Sequence, residues 1–87
     1  MSTTPDALRA LILAALPDAF VDVRDTTGAG DHYAATVVSA AFDGKMLIDR
    51  HRMVYAALGD AMRADVHVLA LDTLMPAEKI KKEARPR

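Results

Sequence analysis

The spacing of the apolar residues changes several times along the chain, and these changes limit the possible folds more than any other feature. Near the N-terminus, apolar side chains recur every three or four residues, which is the period of an amphipathic helix. Thr4 is a good N-cap for this helix, Pro5 suits its first turn, and Pro17 ends it. The stripe that we expect to face the core consists of Leu8, Leu11, Ile12, Ala15 and Leu16.

Two segments with β character follow this helix. From Phe20 to Asp25 apolar and polar residues alternate, as in a strand with one face in water. The run from about His32 to Ala41 is again strand-like, and the residues between the two runs, 26–31, are rich in turn formers. The pattern predicts an antiparallel hairpin with a loop of about six residues.

The second half of the chain returns to helical spacing and then to a strand. After a break at residues 42–45, a second set of residues recurs at steps of three and four, which implies one long helix or two short ones. Residues 66–71 have β character, and Pro76 suits the first turn of a last helix. Residues 77–87 are rich in Lys, Arg and Glu, and we expect a frayed helix or a solvated tail there. The second stripe consists of Leu47, His51, Val54, Leu58 and Met62.

These elements predict an α+β fold with the order α-β-β-α-α-β, in which helices cover one face of a three-stranded sheet. The opposite face stays partly exposed, and such a face on a small domain is a natural docking surface. A chain of 87 residues has room for a single hydrophobic core. We therefore expect one domain over residues 1–87, with its core at about residues 5–78.

Composition excludes several classes of function. With no cysteine, the chain cannot form disulfides or thiolate metal sites, so a metal must be held by histidine, carboxylates or a partner's ligands. The net charge of −1 argues against strong sequence-independent binding to nucleic acid. No catalytic arrangement of side chains is recognisable, and no apolar run approaches the roughly 20 residues of a membrane span. We expect a cytoplasmic protein that is not an enzyme.

Several ordered segments resemble the BolA family, and together they cover about residues 6–78. The resemblance implies a fold similar to class II KH domains. It also implies a role as partner of a monothiol glutaredoxin in [2Fe–2S] cluster assembly, trafficking or iron sensing. The matching segments are Asp25-Thr26-Thr27, Gly30-Asp31-His32-Tyr33, Val37-Val38-Ser39, Phe42-Asp43-Gly44-Lys45, Arg50-His51-Arg52-Met53-Val54-Tyr55-Ala56-Ala57-Leu58 and Val66-His67-Val68-Leu69-Ala70-Leu71.

The same resemblance implies two metal ligands, His67 at the start of the third strand and His32 in the loop between the first two strands. Two imidazoles do not complete a [2Fe–2S] cluster, which takes four ligands. The glutaredoxin cysteine and a bound glutathione would supply the other ligands, so we expect no cluster in the isolated protein. We expect the free protein to be a monomer or a weak homodimer. On spacing alone, His67 reads as a structural residue and His32 as a solvated one. His51, between Arg50 and Arg52, is assigned to structure or to a basic surface and not to ligation.

An alternative function is that of a DNA-binding transcriptional regulator, because BolA relatives have also been regarded as transcriptional regulators. Lys45, Arg50 and Arg52 make the middle helix locally basic, and a KH-like fold is compatible with nucleic-acid binding. Against this alternative, the chain lacks the Gly-x-x-Gly clamp of KH domains. We therefore rank DNA binding second.

Overall fold

The computed structural model describes residues 3–28, 32–59, 61 and 68–78. Its strands form one three-stranded sheet in the order β1-β2-β3, with β2 antiparallel to β1 and parallel to β3. The α+β class and the hairpin predicted from the sequence are confirmed. The elements are α1 (Pro5–Ala15), β1 (Phe20–Asp25), β2 (His32–Val38), a short 3-10 helix (Ala40–Phe42), α2 (Leu47–Leu58) and β3 (Val68–Leu74).

Helix α1 begins where the sequence predicts. The hydroxyl of Thr4 accepts a hydrogen bond from the amide of Ala7 at 3.1 Å, which satisfies one of the free amides of the first turn. The predicted stripe is partly wrong, because Leu11 is 40% exposed and Ala15 is also exposed. The residues of α1 that face the core are spaced four apart and form one line along the helix. Leu13 packs on one side of this line, and Leu11 lies on the other side, where it is exposed. That line consists of Leu8, Ile12 and Leu16.

The core lies between the two helices and one face of the sheet. Because strand side chains alternate, every second residue of β2 points to this face. The largest fully buried side chains include Tyr33 and Phe42, and burial of such rings contributes a large part of the apolar stabilisation. The sheet contributes Val21, Tyr33 and Val37 to the core, α2 contributes Val54 and Leu58, and the 3-10 helix contributes Phe42.

Helix α2 buries a smaller part of its predicted stripe than expected. Leu47 is 61% exposed, since it is the first helical residue and lies a full turn or more ahead of the buried Val54. Met62 lies outside the described residues, as do the tail from residue 79 onward and most of the interval before β3, where a second middle helix was predicted. No helix in the described ranges is long and apolar enough to cross a bilayer.

The second strand ends earlier than the sequence suggests, at Val38 instead of Ala41. Ser39 interrupts it, because its hydroxyl accepts a hydrogen bond from the Ala41 amide at 3.1 Å and so caps the 3-10 helix. The third strand ends later than predicted, at Leu74 instead of Leu71. The amide of Ser39 donates to the Leu74 carbonyl at 3.0 Å, which extends the pairing of β2 and β3 to that point.

A carboxylate joins the turn after α1 to the end of β2. Asp18 accepts a hydrogen bond from the Ala40 amide at 2.9 Å and from the hydroxyl of Ser39 at 2.9 and 3.1 Å. These donors, the Ala40 amide first and the Ser39 hydroxyl second, lower the pKa of Asp18 below its ordinary value. The ionised form therefore stabilises the fold, since Ser39 is buried and its hydroxyl needs a partner.

We predict that Asp18→Asn lowers the urea midpoint of unfolding near neutral pH, because an amide replaces the ionised acceptor. A group whose pKa is lower in the folded state stabilises above its unfolded pKa and loses that effect as the pH falls. The advantage of the parent over Asp18→Asn should therefore shrink below about pH 4. Asp43→Asn, which changes an exposed aspartate after the 3-10 helix, is the control. Equal midpoints for both variants and the parent at pH 7 would contradict this role.

Candidate metal and partner-docking site

His32, one of the two predicted ligands, is the first residue of β2. Its neighbour Tyr33 is buried in the core, so His32 belongs to the opposite, open face of the sheet, where it is half-buried. In the parallel pairing of β2 with β3, the register partner of His32 is Val68, the first residue of β3. The second predicted ligand, His67, directly precedes Val68 in the sequence. His67 itself lies outside the described residues.

The backbone of His32 is held by the turn that follows β1. Its carbonyl accepts hydrogen bonds from the amide of Thr26 at 2.9 Å and from the Thr26 hydroxyl at 3.2 Å. Upstream, the carboxylate of Asp25 accepts from the amides of Thr27 and Gly28 at 3.2 and 2.9 Å, which forms an Asx-type turn. Residues 29–31 of the predicted loop lie outside the described residues.

The sequence prediction did not assign this role to Asp25 and Thr26. The signal was present, because an aspartate followed closely by a glycine often forms such a turn. Gly28 has a φ of +79°, a left-handed conformation that glycine adopts without strain. The turn residues at the end of β1 therefore hold the backbone carbonyl of the first residue of β2.

The open face beside His32 carries short or polar side chains. Register places Arg24, Ala34 and Ala70 in one row across the three strands, and Asp22, Thr36 and Asp72 in the next. The guanidinium of Arg24 lies 3.4 Å from the carboxylate of Asp22, and both are well exposed. Two aspartates at this end of the hairpin, Asp22 and Asp25, do not form an acid–base pair, because Asp25 is engaged in the turn and Asp22 lies beside Arg24. Asp31 lies outside the described residues.

The side chains at this end of the sheet determine whether a metal ion could bind there. In the described part of the chain, no three side chains of the types His, Cys, Asp or Glu come together as a potential metal site. The sequence contains no cysteine to add a thiolate. A metal or cluster bound beside His32 therefore needs further donors, either from residues outside the described ranges, such as His67, or from a second molecule. The donors in the described part of the chain do not make a self-contained site.

His51, the third histidine, packs within the molecule, which is the first of its two predicted roles. Its ring contacts Tyr55 edge-on, with 6.4 Å between the ring centroids. Its Nε2 atom is buried and, among the described residues, has no hydrogen-bond partner. His51 belongs to α2, on the covered side of the sheet, and is not brought together with His32.

Arg50, one of the three residues predicted for nucleic-acid binding, forms a cluster of internal contacts. Its guanidinium donates to Glu78 at 2.7 Å, to the Lys45 carbonyl at 3.0 Å and to the Thr73 carbonyl at 3.4 Å. Only 12% of its side chain is exposed. These contacts join the start of α2 to the end of β3, two segments that are distant in sequence. This arginine has a structural role whatever else it does.

Glu78 completes this cluster from the helical turn at residues 76–78. Its carboxylate accepts a hydrogen bond from the Met75 amide at 2.7 Å, as the glutamate of a capping box does. The pKa of Glu78 is lowered, first by the Met75 amide and then by the hydrogen bond from Arg50. The turn predicted from Pro76 is therefore present, and its acidic residue is engaged with the body of the domain.

Lys45 and Arg52, the other two predicted nucleic-acid residues, are exposed. The Arg52 side chain is 72% exposed and lies 3.9 Å from the carboxylate of Asp49, one turn earlier on α2. The segment between Lys45 and Asp49 consists of Met46, Leu47 and Ile48, which are 72%, 61% and 56% exposed. The exposed cations thus flank an apolar tip instead of forming a continuous basic surface.

Comparison with known proteins assigns the family. The family model described as BolA-like protein matches residues 14–78. BolA-like protein 1 of Mus musculus is 34% identical over 79 residues, which cover 83% of this chain and 58% of that protein. The DNA-binding transcriptional regulator BolA of Escherichia coli is 34% identical over 67 residues, covering 69% of this chain and 64% of that protein. The chain thus spans less than two thirds of the length of these two relatives.

The solved structure of a bolA protein homologue from Coxiella burnetii superimposes with a TM-score of 0.77 at 33% identity. The match covers 90% of this chain and 97% of that one. The solution structure of BolA1 from Mus musculus gives a TM-score of 0.82 at 30% identity, covering 98% of this chain and 76% of that one. Sequence and fold agree, and the chain belongs to the BolA-like family.

Proposed function

We propose that this chain is an adaptor that binds a monothiol glutaredoxin and shares a [2Fe–2S] cluster with it, in cluster assembly, trafficking or iron sensing. The BolA-like family is non-enzymatic, which agrees with the absence of recognisable catalytic machinery in the sequence. In this proposal the cluster is cargo held between two proteins. His32 and His67 contribute imidazole ligands, and the partner contributes its cysteine together with glutathione.

The observation that supports the proposal best is the register of β2 with β3. His32 opens the central strand, and its register partner Val68 is the residue that directly follows His67 in the sequence. The described pairing therefore puts Val68, the residue that follows His67, beside His32 at one end of the sheet. A shared site must present its donors at a surface that a second protein can reach, and His32 belongs to the open face.

The chemistry of the donors explains why the cluster is shared. Iron–sulfur clusters are held mainly by thiolates, and replacing some of them with imidazoles raises the reduction potential. A chain without cysteine can bind such a cluster only together with a thiolate donor. Neutral imidazole is the ligand form, so protonation competes with the metal. The composition of the chain and the open position of His32 both support a heterocomplex.

Mixing the chain with a cluster-loaded monothiol glutaredoxin tests this proposal. We expect the visible absorption and circular dichroism of the cluster to change, because thiolate ligands are replaced by imidazole. A complex containing one copy of each protein should also elute earlier than either partner from a sizing column. An unchanged spectrum together with separate elution would show that the chain does not share the cluster.

Single substitutions test the ligand assignment. We predict that His67→Ala abolishes the spectral change and that His32→Ala abolishes or weakens it, with both variants folded according to far-ultraviolet circular dichroism. His51→Gln is the matched control, because it also removes one imidazole, but from α2. A spectral change that survives in both variants would overturn the assignment of His32 and His67 as ligands.

DNA binding is the second candidate, and the name of the Escherichia coli relative favours it. In this candidate the contacts would come from Lys45 and Arg52, whose charged ends are exposed. Arg50 contributes less readily, since its guanidinium already donates to Glu78 and to two backbone carbonyls. Removing Arg50 would disturb the fold and so confuse any binding assay.

Fluorescence anisotropy with labelled duplex DNA distinguishes this candidate. If it is correct, Lys45→Ala and Arg52→Ala should each lower the affinity and reduce the slope of log affinity against log salt by about 1, as expected for a lost phosphate contact. Arg24→Ala is the control, because it removes an exposed cation from the sheet face instead. Identical affinities and slopes for the parent and all three variants would exclude a phosphate-binding surface on α2.

A further inference from the structure

The carbonyl of His32 receives two hydrogen bonds from one residue. The amide of Thr26 donates at 2.9 Å, and the hydroxyl of the same threonine donates at 3.2 Å. The amide bond alone continues the antiparallel pairing of β1 with β2 by one step beyond the strand. The hydroxyl bond is additional, and alanine or valine at position 26 would lack it. Thr26 therefore gives the His32 carbonyl one hydrogen bond more than an apolar residue at position 26 could give.

Thr26 is itself held in place by the turn that contains it. Asp25 bonds the two amides that follow Thr26, those of Thr27 and Gly28. Gly28 then allows the chain to turn in the left-handed region, at φ +79°. Because these bonds join the residues on either side of Thr26, the Thr26 side chain meets the His32 carbonyl in a defined geometry.

His32 thereby lies between two neighbouring strands. On the β1 side Thr26 holds its carbonyl, and on the β3 side His32 is in register with Val68, the first residue of that strand. The first residue of a strand has fewer backbone partners than an internal residue and frays more easily. The threonine hydroxyl counters this fraying at the one described residue that is proposed to bind metal.

We infer that Thr26 is a positioning residue for His32, which orients the imidazole by fixing the backbone from which it extends. This role rests on the proposed function for its effect in the complex, but the ordering of His32 is a property of the free chain. A ligand that is ordered before binding loses less conformational entropy on binding. Loss of the hydroxyl hydrogen bond should then lower the equilibrium constant between the ordered and the frayed state of His32 by about two- to twelvefold.

The free protein tests the ordering itself, by nuclear magnetic resonance on the parent, Thr26→Val, Thr26→Ser and Thr36→Val. Valine keeps the shape and the amide of threonine but removes the hydroxyl, whereas serine retains it. We expect Thr26→Val to lower the exchange protection of the amide at position 26 by about two- to twelvefold. It should also lower the backbone order parameter at His32, and Thr26→Ser should restore both quantities.

Thr36→Val is the matched control, because Thr36 lies on the same strand and face as His32 but four residues further along. It should leave both quantities at position 26 and His32 unchanged. Equal protection and equal order in the parent and in Thr26→Val would overturn the positioning role.

Binding to the cluster-loaded glutaredoxin then separates this inference from the proposed function. If the parent shares the cluster, Thr26→Val should bind about two- to twelvefold more weakly, with Thr26→Ser close to the parent. Equal binding of Thr26→Val and the parent would overturn the positioning role in the complex. If the parent shares no cluster, the proposed function fails, and the measurements on the free chain alone decide whether Thr26 orders His32.

Discussion

The two-sided backbone pairing of β2 is the constraint on which the other features of this molecule depend. Antiparallel pairing with β1 closes the hairpin, and parallel pairing with β3 requires a crossover that carries α2 over the sheet. Since strand side chains alternate, this arrangement directs Tyr33 and Val37 into the core and leaves His32 on the open face. The same pairing aligns the starts of β2 and β3. Core and candidate site are thus opposite faces of one strand.

The absence of cysteine is the chemical constraint that limits which metal ligands this end of the sheet can supply. With one histidine at the sheet end and no cysteine, the described part of the chain has too few donors to hold a cluster on its own. The same donors are well suited to a site that a second protein completes, because they leave coordination positions for its thiolates. The turn of Asp25 and Thr26 adds a fixed backbone beneath His32. Together these features support the proposal that the chain shares a cluster with a partner protein.

Local signals in the sequence were sufficient to predict most of the fold. The Thr4 cap, the proline after α1 and the alternation in β1 each act within a few residues, so their effects can be predicted without tertiary structure. Two of the errors involve contacts between distant segments. Ser39, where β2 ends early, donates to Asp18, 21 residues away, and Arg50 is withdrawn from the surface by Glu78, 28 residues away. No periodicity reveals such pairs.

The central claim is that imidazole nitrogens of this chain bind iron in a shared cluster. Pulsed electron paramagnetic resonance on the reduced complex tests it most directly, with histidine of this chain alone labelled with ¹⁵N and His51→Gln as the background. The account predicts strong couplings from two labelled imidazoles, which disappear one at a time in His32→Ala and His67→Ala. A cluster that shows strong coupling to fewer than two labelled nitrogens would contradict it.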